Sequence, residues 1–254
     1  MRRYLLTALL FSPALAFAHQ QCAFPADRNL DIDLAGAKAI QVVVNSHDLH
    51  LEGTSTGKVL VRGKACASDK DRLNGLTVEQ HREGDTLIVE LQDNNRGWGW
   101  GNNYSDLNVL IQIPSALPVA VKVGSGEADV RNVASLTSTV GSGDLHVHKV
   151  AGAFSTAVGS GDVDAEDVGD TEVSAVGSGD VEAKTVRGNV SIGSIGSGEA
   201  KLRDVSGSVK VNTVGSGSLD VDSVKGNLTV NSLGSGDVDH RGVTGKVDLP
   251  NKNR

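Results

Sequence analysis

The tripeptide Gly-Ser-Gly recurs along the second half of this chain, beginning at Gly124, Gly141, Gly159, Gly177, Gly196, Gly215 and Gly234. Successive starts lie 17, 18, 18, 19, 19 and 19 residues apart. So short a period predicts a solenoid: each repeat is one coil, unable to bury its apolar side until the next coil stacks on it. The composition agrees. With 31 Gly, only 5 Pro and 3% aromatic residues, the chain is suited to a thin core of stacked small and β-branched side chains.

Aligned on the tripeptide, the repeats resolve into columns. The first apolar column is Ala128, Leu145, Val163, Val181, Ala200, Leu219 and Val238. The second is Val130, Val147, Ala165, Ala183, Leu202, Val221 and then His240. The third is valine throughout, from Val133 to Val243. A second half-coil adds columns headed by Leu136, Ser138 and Val140. Alternation of period two turns these residues inward and their neighbours outward, and valine suits a ladder in which each residue sits on its counterpart one coil away. The expected fold is all-β, a right-handed parallel β-helix, the hand following the general crossover preference. Seven coils spaced ~4.8 Å apart would span about 34 Å. Gly-Ser-Gly is read as the corner, its glycines giving the positive φ of a sharp turn, with its serines in a hydroxyl ladder.

The first 18 residues read as a cleaved export signal: Arg2 and Arg3, a short apolar run to Phe17 broken by Pro13, and the small-x-small site Ala16-Phe17-Ala18. No other run is apolar and long enough to span a bilayer. Cys22 and Cys66 then read as one structural disulfide in an exported chain. Residues 19–123 are read as irregular β-rich coils and a cap, and residues 124–250 as the seven-coil repeat, together one continuous domain. The cap shows β runs at Ala39–Val44, Asp48–Glu52, Lys58–Lys64, Leu107–Ile113 and Val119–Val123, a hairpin across Arg82-Glu83-Gly84-Asp85, and little or no helix.

The formal charge of −7, two units more negative once Arg2 and Arg3 are removed, argues against nucleic acid as a partner. The acids gather in two outward columns beside the tripeptide: Glu127, Asp144, Asp162, Asp180, Glu199 and Asp237, and two residues further on Asp129, Asp164, Glu182, Asp220 and Asp239. Like charges one coil apart repel by about 0.9 kcal/mol per pair in water. Such a face binds divalent cations or a cationic peptide, or is a solvated face whose aspartates cap corner amides. A second candidate contact is the loop of Trp98, Trp100 and Tyr104, set among Gly and Asn. Asp144, His146 and His148 alternate on one strand, but their span of ~7 Å is long for one ion, so no metal site is assigned. No catalytic residue or cofactor is assigned either. Gly-x-Ser-x-Gly is absent, and coils this short leave no cleft of long loops for a polysaccharide-cleaving carboxylate pair.

The Gly-Ser-Gly-Asp-Val coils resemble the bacterial "putative adhesin" family, exported or envelope domains of unknown function related to the auto-transporter adhesin head. The resemblance spans roughly residues 30–249. It implies a helical β stack and a cell-envelope location, whether periplasmic, outer-membrane-associated or extracellular. The partner it implies is an envelope or surface protein or glycan.

Overall fold

The computed structural model describes residues 22–95 and 103–250; residues 1–18, read above as an export signal, and Trp98 and Trp100 lie outside them. The cap contributes β1 (Phe24–Ile32), β2 (Ala39–Asn45), β3 (Asp48–Thr54), β4 (Val59–Ala67), α1 (Lys70–Gly75), β5 (Leu76–Glu83), β6 (Thr86–Asp93), β7 (Ser105–Pro114) and β8 (Val119–Val123). From there each coil supplies a seven-residue strand and then a shorter one. These are β9 (Glu127–Val133) and β10 (Leu136–Val140), β11 (Asp144–Val150) and β12 (Phe154–Val158), β13 (Asp162–Val168) and β14 (Thr171–Val176), and β15 (Asp180–Val186) and β16 (Val190–Ile195). The series continues with β17 (Glu199–Val205) and β18 (Val209–Val214), β19 (Ser218–Val224) and β20 (Leu228–Leu233), and β21 (Asp237–Val243) and β22 (Val247–Asp248).

The strands form two sheets, β1-β4-β7-β3-β9-β11-β13-β15-β17-β19-β21 and β22-β20-β18-β16-β14-β12-β10-β8-β2-β6-β5. From β9 and β8 onward every pairing is parallel and joins equivalent residues of adjacent coils, for example Val181↔Ala200 and Val190↔Val209. This is the β-solenoid that the period requires. The inward columns are buried as far as the coil of β19 and β20, where Leu233 alone is only partly buried. Two polar residues that enter the core satisfy each other: Ser138 Oγ donates to Thr156 Oγ1 at 2.8 Å.

The parallel stack begins before the first Gly-Ser-Gly. β2 and β3 form a coil whose corner is Asn45-Ser46-His47, in register with the next: Asp48 pairs with Glu127, and the Ser125 N–H donates to the Asn45 carbonyl at 2.8 Å. β6 and β7 stack on the other side of that coil, so the outermost coil comes later in sequence. β4 then adds antiparallel to β7 and β1 antiparallel to β4, while β5 adds antiparallel to β6. Cys22 is bonded to Cys66, their Cα atoms 5.7 Å apart. The hairpin is as expected, with Gly84 at φ 58°. The little helix expected is the short α1; its signal is local, the Asp69 carboxylate accepting from the Arg72 N–H at 2.9 Å.

The corners correct one expectation. Among the described residues the glycines with positive φ are Gly36, Gly84 and Gly242, and none belongs to a Gly-Ser-Gly. The tripeptide needs glycine for space. A Cβ on Gly179 would lie 1.8 Å from the Gly161 carbonyl oxygen, and the second glycine of each of the other repeats meets the coil before it in the same way. The left-handed backbone occurs at the opposite end of the long strand, immediately before the valine column. There Asn132, Lys149, Asp167, Thr185, Asp204 and Ser223 hold φ between 55° and 62°, and Gly242 completes the series.

His240 corrects another. Its backbone is in register with the inward Val221, but its side chain is exposed, because no coil follows among the described residues to cover it.

Candidate ligand face

The long strands β3, β9, β11, β13, β15, β17, β19 and β21 put three residues of every coil outward on one sheet. The register makes each position a continuous row across the solenoid. The row next to the corner is Asp48, Glu127, Asp144, Asp162, Asp180, Glu199, Ser218 and Asp237. The middle row is His50, Asp129, His146, Asp164, Glu182, Lys201, Asp220 and Asp239. The third is Glu52, Arg131, His148, Glu166, Lys184, Arg203, Asp222 and Arg241. All the acids of the two predicted columns are therefore brought onto one face.

Reading only two columns missed the third, which supplies the counter-charge. Arg131 pairs with Asp129, Lys184 and Arg203 both reach Glu182 at 3.2 Å, and Arg241 pairs with Asp222. The Arg241 hydrogen bond holds the Asp222 carboxyl below its usual range. Histidines join adjacent coils: His146 lies 3.8 Å from Glu127 and 3.4 Å from Asp164, and His148 lies 3.5 Å from Glu166. Pairs this open to water contribute little stability each, so they shape the face's potential more than they hold the fold.

The corner row does hold the fold. Asp162 accepts the Asp180 N–H at 3.1 Å, and Asp180 accepts the Glu199 N–H at 3.0 Å. A parallel device runs along the corner that opens each short strand. There Asp170, Asn189, Ser208 and Asn227 each accept, through the side chain, a backbone N–H of the next coil at 2.8–3.1 Å.

Asp129, Arg131, His146, His148, Asp164 and Glu166 border an open depression of about 500 Å³ between the middle and third rows. Among the described residues no three His, Cys, Asp or Glu side chains are placed to hold a metal ion together. Tyr104 is half-buried; its phenolic oxygen accepts the Ala23 N–H at 3.0 Å, which ties down the strand next to the disulfide. β6 ends at Asp93 and β7 begins at Ser105, and Trp98 and Trp100 lie in the part of this connection outside the described residues. Its two ends are linked where Ser105 Oγ donates to Asp93 at 2.7 Å.

One buried group was not foreseen. His47 is 3% exposed, and its Nε2 has no hydrogen-bond partner. Burial lowers the imidazole's pKa below its ordinary value, against the opposing pull of Asp93, Asp106 and Asp48. Burial and the neighbouring Asp48 charge raise the Asp106 carboxyl. The signal was Asn-Ser-His-Asp standing one coil ahead of Gly-Ser-Gly-Glu, a corner disguised by two substitutions.

The family model described as Toastrack DUF4097 matches residues 37–252, which takes in both the β2–β3 coil and the last repeat. The chain belongs to that family. No curated protein matches this Toastrack domain. Among solved structures it is similar to a "putative adhesin" of Bacteroides fragilis, at 16% identity over 90% of this chain and 98% of that one, TM-score 0.46. A second "putative adhesin", from Parabacteroides distasonis, gives 16% identity over 89% and 97% with TM-score 0.47. A "putative lipid binding protein" from the same species gives 17% over 90% and 98% with TM-score 0.42. No helix among the described residues of the Toastrack domain is long and apolar enough to cross a membrane.

Proposed function

We propose that this chain is a non-catalytic, adhesin-like binding module of the cell envelope, exported by its leader, and that its three-row sheet face is what it presents to a partner. The observation that carries the reading is the continuity of that face. One rigid parallel sheet sets two acid-rich rows beside a row of both signs over eight strands. An acidic row alone would favour divalent cations or a cationic peptide. The third row changes the complement to a surface of both signs, as in an envelope protein or a charged glycan. The corner aspartates already accept backbone N–H groups, which weakens the case for cation binding along that row.

The test is capture from an envelope extract on immobilised mature chain, beside a variant with Arg131→Gln, Lys184→Gln and Arg203→Gln. A single stoichiometric species retained by the parent and lost by the variant is the expected result. Equal retention by both, or none by the parent, sinks the reading and leaves a structural role.

A further inference from the structure

The two ends of the solenoid are finished differently. At the start, the outer strands β1 and β5 carry edge-blocking residues, Pro25 on the first and Glu79, Arg82 and Glu83 on the second. At the far end β21 is paired with β19 on one side and, among the described residues, with no strand on the other. Val238, Val243, Val247 and Leu249 are only partly buried there, while their counterparts Leu219, Val224, Leu228 and Val230 are buried. The Asp237 N–H donates inward to the Gly217 carbonyl at 3.1 Å. Backbone groups alternate in direction along a strand. The N–H and C=O of Val238 and His240 therefore point out along the open edge.

We propose that a second copy of this chain covers this end, its β21 pairing antiparallel with β21 about a two-fold axis centred on His240. Charge and hydrogen bonding select that register together. Centred on His240, the two His240 backbones exchange N–H···O bonds, and Asp239 stands directly opposite Arg241 of the second copy, twice by symmetry. Centred one residue earlier, Asp239 would meet Asp239 and the outward backbone groups would miss. Centred one later, Arg241 would meet Arg241. The pairing also relieves a like-charge contact, because the in-register neighbour of Asp239 within its own chain is the acid Asp220. Both sheets would then continue from one copy into the next, with the partly buried valines and Leu249 at the join. This interface uses Asp239 and Arg241, the last members of the middle and third rows, and leaves Arg131, Lys184 and Arg203 of the ligand face untouched.

The experiment is sedimentation equilibrium of the mature chain over a wide concentration range, with far-UV circular dichroism as the check on folding. The parent is expected to form a dimer. Asp239→Arg alone and Arg241→Asp alone each place like charges opposite one another and should weaken the dimer by ~10-fold or more. The double swap restores opposite charges and should restore the dimer. His240→Pro removes an outward N–H while leaving the ladder to β19, so it should give a folded monomer. A parent that is monomeric at every concentration overturns the proposal, as does a dimer indifferent to these variants or a double swap that stays monomeric.

Discussion

Two corners of each coil divide the work usually given to glycine. At the Gly-Ser-Gly corner the backbone has ordinary φ, and what matters is the absence of a Cβ, since coil rests on coil with carbonyl oxygen against Cα. At the corner before the valine column the backbone is left-handed, the conformation glycine favours, yet six of its residues carry side chains. Side chains survive there because that corner faces water and none must fit beneath the next coil. Close packing thus constrains sequence more tightly than backbone conformation does. A clash with neighbouring backbone has no relief, whereas a left-handed residue costs only ~1–2 kcal/mol.

Substitutions separate the two constraints. Gly179→Ala should destabilise by about 3 kcal/mol or more, since neither backbone can move without breaking the stack; Ser178→Ala, on the exposed residue between the glycines, should change urea unfolding little. His47 is the Gly-Ser-Gly corner's exception. Its pKa is held below the ordinary 6.5 by burial, so the unfolded chain takes up the proton first as pH falls. Its contribution is intact above the unfolded value and is lost below it, at up to about 1.4 kcal/mol per pH unit. His47→Gln should flatten the stability profile of the parent in that acid range. Asn189→Ala leaves the Ser208 N–H without its acceptor and should cost ~1 kcal/mol, read by thermal unfolding. Thr185→Gly should do the opposite of Gly179→Ala and stabilise by about 0.5 kcal/mol, because a β-branched residue at φ 56° gives way to one that accepts it. A loss on that change would mean that the Thr185 side chain makes up for its backbone.

What the sequence made legible follows the same division. Inward columns were readable residue by residue because burial admits few side-chain types, and Val133 through Val243 repeats without a break. The left-handed column was invisible, because Asn, Lys, Asp, Thr and Ser share no chemistry that a pattern could detect. The third outward row escaped for a related reason: Arg131, His148, Glu166 and Lys184 differ in sign, and only the register shows them as neighbours of the acids. In the cap, strands such as Val119–Val123 were recognisable by alternation. That β7 pairs with both β3 and β4 was not, since long-range order leaves no local trace.

The equal spacing of the last three repeats makes length itself adjustable. Every coil from Gly177 onward meets its neighbour through the same register, so removing residues 196–214 would bring Gly215 onto Gly177 with the same partners restored. Each such step would shorten the reach of the molecule by ~4.8 Å while leaving the three-row face in phase. A lineage carrying this fold can therefore match the distance between two fixed points by duplicating or deleting a unit, with no new packing to invent.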